Sequence, residues 1–191
     1  MFVQIEPTPN PATLKFLPGK TVMEKGTQFY QDKTSAGNSL LAQKLFEIKG
    51  VESVFYGEDF ITISKSDSTT WTMLKPAIMG AIIEQFTTND PLIMEQQYKK
   101  TVVEDKHAIK STDSDVVKKI KELLDTKIRP AVAMDGGDII FNEYVDGWIW
   151  LEMQGACQGC PSSTATLKSG IENMMKHYIP EVRGVRSTEH D

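Results

Sequence analysis

Cysteine and histidine are scarce in this chain, whose 191 residues include only two cysteines and three histidines. Both cysteines, Cys157 and Cys160, lie in one C-x-x-C segment, GACQGCPSS at residues 155–163. A secreted domain is expected to use two cysteines as a bridge across a longer loop, whereas this spacing is typical of catalytic or metal-binding thiols in a reducing compartment. The pattern therefore favours the cytoplasm, or a mitochondrial matrix form whose presequence is absent from this sequence.

The chain also lacks an excess of positive charge and any long hydrophobic run. Its net charge is −5 and its isoelectric point is near 5.3, which argues against nucleic acid as a partner because phosphate backbones bind mainly to clustered lysine and arginine. No apolar run reaches the roughly 18 residues of a membrane-spanning helix. The opening residues, MFVQIEPTPNPATLKF, have neither signal-peptide nor transit-peptide composition, so a soluble and untargeted chain is expected.

The middle of the chain has no sustained apolar period. The segment FTTNDPLIMEQQYKKTVVEDKHAIKSTDSD, residues 86–115, mixes charged residues with turn-forming residues. We therefore predict two small domains, residues 1–86 and residues 113–191, joined by a linker at residues 87–112.

The first domain shows mixed helix and strand patterns and contains no cysteine. FVQIEP and TLKFLPG favour short strands around the proline-rich PTPNP, and NSLLAQKLFEIKG has leucines at helical spacing before Gly50. VESVFYGEDFITISK predicts a hairpin that turns at YGED. TTWTMLKPAIMGAIIEQF predicts a buried helix in which Pro76 either kinks the helix or lies in its first turn.

The second domain is predicted to be a helix, a β-hairpin, the C-x-x-C loop and a second helix. STDSDVVKKIKELLDTKIRP carries one apolar stripe behind residues that can cap a helix. IIFNEYV and WIWLEMQ are joined by Asp146 and Gly147, a dipeptide that suits a tight hairpin turn. A helix is predicted from Pro161 onward, and IPEVRGV predicts a last short strand. Both domains together predict the α+β class.

The cysteine loop has the composition of a site for two anionic sulfurs. Since Cys160 is expected next to a helix N-terminus, the helix dipole is expected to lower the thiol pKa and favour the thiolate that binds metal. Gly155 and Gly159 permit a tight backbone, and Ser162 and Ser163 offer hydrogen-bond donors near the sulfurs.

Three uses of such a dithiol remain open from the residues alone: thiol–disulfide exchange, a zinc site and an iron–sulfur site. A thioredoxin-type motif follows the first strand of a parallel βαβ unit, whereas this motif follows an expected antiparallel hairpin, so redox exchange becomes the alternative. His107, His177 and His190 are scattered and show no ligand spacing. One chain thus offers half of a four-sulfur site, and a second copy related by a two-fold axis would supply the other half near the surface.

Two longer stretches carry a family resemblance. MDGGDI followed by GACQGCPSSTATLKSGIE closely resembles the NifU-like, or Nfu-type, iron–sulfur cluster scaffold domain. PTPNPATLKFLPG, KGVESVFYGEDFITISK and WTMLKPAI resemble the N-terminal domain that precedes this scaffold domain in bacterial and mitochondrial Nfu-type proteins. The resemblance covers nearly the whole chain apart from the linker.

The resemblance implies a carrier and not an enzyme. It implies a homodimer that binds a 4Fe–4S cluster between its subunits through Cys157 and Cys160, with 2Fe–2S as a further possibility. Such a carrier takes its cluster from upstream cluster-assembly machinery and delivers it to apo iron–sulfur client proteins, such as aconitase-like dehydratases or lipoyl synthase.

Several other residues have a structural and a functional interpretation. Residues 135–138, DGGD, are interpreted as a glycine turn between helix and strand and not as an anion site. Trp148 and Trp150 lie on one strand face, where they would pack against a helix, shield the cluster or form a dimer contact. Met174 and Met175 are interpreted as core or interface residues and not as metal ligands.

Overall fold

The chain folds into two compact units, residues 1–102 and residues 103–191. The structure, a computed structural model, describes residues 2–88, 90–94, 108–159 and 161–188, the last range without the side chains of residues 161–164. Each unit combines helices with one sheet, so the α+β class expected from the sequence is confirmed.

The two described ends of the predicted linker contact the unit nearest to them. Leu92 and Ile93 pack against the core of the first unit, and the Met94 N–H donates to the Asn38 carbonyl over 2.8 Å. At the other end, the Lys121 ammonium donates to the Ala108 carbonyl over 2.9 Å. The domain boundaries at 86 and 113 stay a prediction, because residues 95–107 lie outside the described residues.

The first unit is built on an antiparallel sheet of five strands in the order β1–β2–β5–β4–β3. The strands are β1 Gln4–Pro7, β2 Thr13–Leu17, β3 Gln28–Tyr30, β4 Val51–Tyr56 and β5 Ile61–Lys65. The predicted hairpin is confirmed, since β4 pairs with β5 across residues 57–60. Strand β3 was not predicted from the sequence, because its three residues are too few for an alternating pattern.

Two helices cover this sheet: α1, Leu40–Glu47, and α2, Trp71–Thr88. Of the two predicted roles of Pro76, a position in the first turn is excluded, because Pro76 lies inside the helix. The prediction of a buried helix holds for one face only. Leu74, Ile78 and Ile82 enter the core, whereas Met73 is 74% exposed. Some apolar side chains of α2 therefore remain at the surface, because only one face of the helix packs against the core.

The second unit has a three-stranded sheet in the order β6–β7–β8. Its strands are β6 Gly137–Val145, β7 Trp148–Gly155 and β8 Gly184–Ser187. The hairpin between β6 and β7 is confirmed, and its turn residues Asp146 and Gly147 have φ of 51° and 84°, as a tight turn of this kind requires. The last strand is also confirmed, and β8 lies parallel to β7.

The helices of the second unit are α3 Asp115–Leu123, α4 Arg129–Met134 and α5 Pro161–Tyr178. Ser114 caps α3 by accepting the Val117 N–H, as the sequence predicted. A π-helical turn, Leu124–Ile128, joins α3 to α4. Pro130, near the start of α4, has no N–H for a regular helical hydrogen bond, which explains why the α-helical pattern is interrupted here.

All three helices contribute to one core with the same face of the sheet. Ile120, Val132 and Met175 from the helices are buried together with Ile149 and Leu151 from β7. Burial alternates along β7, which leaves the two tryptophans on the opposite face.

Trp148 and Trp150 are not among the residues that pack against this core. On that face the Arg186 guanidinium lies 4.2 Å from the ring centroid of Trp148 and 5.4 Å from that of Trp150. Met175 is fully buried and Met174 packs against the core, so their interpretation as core residues is confirmed.

Candidate functional site

Cys157 lies in the turn that follows β7, and its position is fixed by backbone hydrogen bonds on both sides. The Ala156 N–H donates to the Gly136 carbonyl over 3.2 Å, and the Cys157 N–H donates to the Gln154 carbonyl over 3.4 Å. Gly155 has a φ of 63°, so the tight backbone expected of this glycine is observed. The loop is thus attached to the start of β6 as well as to its own strand.

The Cys157 sulfur rests against Gly137. A Cβ atom built on Gly137 would stand 2.5 Å from Cys157 Sγ, 2.7 Å from the Gln154 carbonyl oxygen and 3.0 Å from the Cys157 nitrogen. Only glycine leaves room for this contact, because real Cβ atoms do not approach other heavy atoms so closely. The DGGD segment, interpreted from sequence as a fold element alone, therefore also forms one wall of the site.

An ion pair lies directly beside Gly137. The carboxylate of Asp138 is 3% exposed and accepts two hydrogen bonds from Arg129, from Nε to Oδ1 and from a terminal nitrogen to Oδ2, each 2.8 Å long. Asp138 Oδ1 also accepts the Ile139 N–H, and Arg129 donates to Asp125 one turn earlier. A buried carboxylate with two parallel donors from one guanidinium is the strongest geometry such a pair adopts.

The environment of Cys157 favours the neutral thiol and not the thiolate. Burial is the main cause, and the negative charges of Asp135 and Asp138 add to it; together they raise the pKa of the Cys157 thiol to about 12. The lowered thiol pKa was predicted from the helix N-terminus beside Cys160, which lies outside the described residues, and Cys157 does not share it. This residue lies in the turn before α5, where only 6% of its surface is exposed, and desolvation outweighs the helix dipole.

The predicted ligand Cys160 and the side chains of Ser162 and Ser163 lie outside the described residues, as do His107 and His190, which show no ligand spacing in the sequence. The backbone of α5 begins at Pro161, as predicted. His177 lies in the last turn of α5, with its ring 5.0 Å from that of Tyr178. In the part of the chain that the structure describes, no three side chains of histidine, cysteine, aspartate or glutamate are grouped to hold a metal ion.

The structure contradicts one reason for disfavouring thiol–disulfide exchange, namely that the motif does not lie in a parallel βαβ unit. Because β8 is parallel to β7 and α5 connects them, the cysteine loop does lie at the strand-to-helix turn of a βαβ unit. The raised pKa of Cys157 is a better argument, since redox-active thiols of this type have depressed pKa values.

We expect Cys157 to react slowly with alkylating reagents in the metal-free protein. In a Cys160→Ser variant, which leaves Cys157 as the one cysteine, iodoacetamide at pH 8 should react about a thousandfold more slowly than with an exposed thiol, because only the thiolate is nucleophilic. Mass spectrometry of the intact chain measures the rate. In guanidinium chloride the difference should disappear, and equal rates in the folded and unfolded chain would contradict the buried position.

Comparison with known proteins identifies both units. Residues 3–89 match the family model described as the N-terminal domain of scaffold protein Nfu/NifU, and residues 120–186 match the model of the NifU-like domain. No helix among the described residues is long and apolar enough to cross a membrane.

Similar proteins align along almost the whole chain. NifU-like protein 5, mitochondrial, from Arabidopsis thaliana is 50% identical over 97% of this chain and 67% of its own length. The human protein named NFU1 iron-sulfur cluster scaffold homolog, mitochondrial, is 46% identical over 100% of this chain and 73% of its own length. The chain thus spans about two thirds to three quarters of these relatives. The two family models and these full-chain matches show that the chain belongs to the Nfu/NifU scaffold protein family, with the N-terminal and NifU-like domains in that order.

Proposed function

We propose that this protein is an iron–sulfur cluster scaffold. The observation that carries the proposal is the site around Cys157, a sulfur packed against Gly137 in a C-x-x-C loop, in a chain of the Nfu/NifU family. The name of the human relative, an iron-sulfur cluster scaffold homolog, supports the cluster as cargo and describes a scaffold. The names of both relatives support the mitochondrion as its location and give no support to the bacterial cytoplasm.

We further propose that a 4Fe–4S cluster is held between two subunits by Cys157 and Cys160 from each, with 2Fe–2S as the smaller alternative. Two thiolates per chain are half of the usual set of four, and a two-fold axis completes the set. Since Cys157 is buried in the single chain, its sulfur must become exposed before it can bind a shared cluster.

Transfer is then a ligand exchange and needs no catalytic acid, base or nucleophile. Thiolates of an apo client protein replace Cys157 and Cys160 one after another, and the cluster moves without a change in its electron count. Each released Cys157 takes up a proton, because its buried position favours the thiol. Return of this sulfur to its place against Gly137 would make release more favourable.

Anaerobic reconstitution with iron and sulfide tests the proposal. We expect a brown species with the mass of two chains that contains about four iron and four sulfide ions, with a Mössbauer spectrum typical of 4Fe–4S. Cys157→Ser should abolish the bound iron. Ser169→Ala, at an exposed position on α5, is the control and should bind iron as the parent does.

The alternatives predict different outcomes of the same experiment. A structural zinc site would give a colourless dimer that retains zinc and excludes iron. A thiol–disulfide oxidoreductase would reduce a disulfide substrate as a single chain and without iron. Iron bound to single chains, or no iron bound at all, would overturn the proposed function.

A further inference from the structure

We propose that Arg129 is a positioning residue for Cys157 and that it acts through Asp138 and the first residues of β6. The inference rests on the proposed function only in treating Cys157 as a cluster ligand. Its physical content, that Arg129 holds the Cys157 sulfur in place, concerns the metal-free chain and is testable there.

Arg129 attaches the start of β6 to the start of α4. Arg129 is the first residue of α4, and Asp138 is the second residue of β6. The two 2.8 Å hydrogen bonds between them fix both the distance and the angle of the carboxylate. The third bond of Arg129, to Asp125 at 3.0 Å, ties the same guanidinium to the π-helical turn. One side chain therefore holds the π-helical turn, the start of α4 and the start of β6.

The start of β6 is in turn in direct contact with the cysteine loop and its sulfur. Gly137 pairs with Gly155 and Asp138 pairs with Gln154, so the strand end held by Arg129 is the direct partner of the cysteine loop. The Gly136 carbonyl accepts the Ala156 N–H, and Gly137 touches the sulfur itself. A movement of residues 136–138 would therefore displace the surface on which Cys157 rests.

Lysine cannot replace arginine at position 129 without a change in geometry, because only the guanidinium has several nitrogens that donate to both oxygens of Asp138 at once. A lysine at position 129 keeps the positive charge but offers a single nitrogen, which cannot bind both oxygens of Asp138 and also Asp125 with the present geometry. Arg129→Lys therefore separates the geometric role of the residue from its charge. Asp125→Asn is the matched control, since it weakens the more exposed contact of Arg129 and keeps the fork on Asp138.

The experiment measures iodoacetamide reaction of Cys157 in full-length Cys160→Ser protein. Arg129→Lys should raise the rate about tenfold or more, the change expected when a hydrogen bond to a charged group is lost. Asp125→Asn should stay within about twofold of the parent, as expected for an exposed pair. Hydrogen exchange of residues 149–153 in β7, measured on the same samples, reports opening of the whole unit.

The outcomes separate a positioning role from a merely structural one. Faster alkylation with unchanged exchange in β7 supports the proposal. An unchanged alkylation rate overturns it, as does a rise matched by an equal rise in exchange, because the residue would then stabilise the unit as a whole. If Arg129→Lys does not fold, Asp138→Asn, which keeps one acceptor oxygen for the guanidinium, gives the same test.

The rate of iron loss tests the role of Arg129 in the cluster-loaded protein. In protein with both cysteines, reconstituted with iron and sulfide, Arg129→Lys should lose iron to a chelator several times more slowly than the parent, because the place against Gly137 to which the released sulfur returns is less stable. Asp125→Asn should lose iron at the rate of the parent. Equal loss would contradict a role in the loaded protein. If the parent binds no iron, the proposed function fails while the alkylation result still decides whether Arg129 positions Cys157.

Discussion

Replacing Gly137 by alanine is expected to release Cys157 from its buried position and to destabilise the second unit by about 2–3 kcal/mol, the upper range for an added methyl group in a packed site. The new Cβ would lie 2.5 Å from the sulfur, 2.7 Å from the Gln154 carbonyl oxygen and 3.0 Å from the Cys157 nitrogen. The last two atoms belong to the backbone of β7 and its loop, so rotation of a side chain cannot relieve the overlap. The loop itself must move.

Alkylation of Cys157 in the Cys160→Ser background measures this release. Gly137→Ala should raise the rate about 30–150-fold, because each factor of ten corresponds to about 1.4 kcal/mol of local stability. Gly170→Ala is the control, since its Cβ meets no atom within 4 Å and it replaces a glycine inside α5. That variant should be neutral or more stable by up to about 1 kcal/mol. A Gly137→Ala protein with Cys157 as well protected as in the parent would contradict the contact.

The parts of the fold that the sequence predicted correctly are those with local causes. The hairpin of the second unit follows from Asp146 and Gly147, and the start of α3 follows from Ser114, whose side chain reaches a backbone N–H three residues ahead. Pro161 marks the start of α5 for a similar reason. In each case the residue and its structural effect lie within one turn of the chain.

The missed features depend on contacts between distant residues. The parallel pairing of β8 with β7 spans the whole of α5, and no local pattern encodes its direction. The raised pKa of Cys157 comes from burial, which is visible only when β6 and α4 are in place. Without the packed unit, a thiol near a helix start is reasonably expected to have a lowered pKa.

The position of Gly137 beside the cysteine loop was predictable from the sequence. Counting backward along β6 and forward along β7 from the turn places Gly137 opposite Gly155, to within the one residue that the bulge between Phe141 and Glu143 adds. Two glycines opposite each other beside a cysteine indicate a close approach. The partner of Asp138 was not predictable in this way, because Arg129 lies nine residues earlier on a helix whose path is set by packing.

Removing the guanidinium altogether is expected to have the largest effect on stability in the second unit. Arg129→Met leaves the carboxylate of Asp138, which is 3% exposed, without its counter-charge. Loss of one partner from a buried pair costs about 3–5 kcal/mol, since the remaining charge is neither solvated nor neutralised. Hydrogen exchange of residues 149–153 in the full chain measures the loss separately from the first unit.

A second substitution shows whether the loss of stability in Arg129→Met arises from the unpaired, buried carboxylate of Asp138. In the double variant Arg129→Met, Asp138→Asn the carboxylate is gone, while the amide oxygen can still accept the Ile139 N–H that Asp138 binds. Stability should therefore recover by at least about 2 kcal/mol relative to Arg129→Met, a coupling typical of groups in direct contact. If the two substitutions were instead additive, the pair would contribute through separate packing contacts, and Asp138 would not need Arg129 to remain buried beside the cysteine loop.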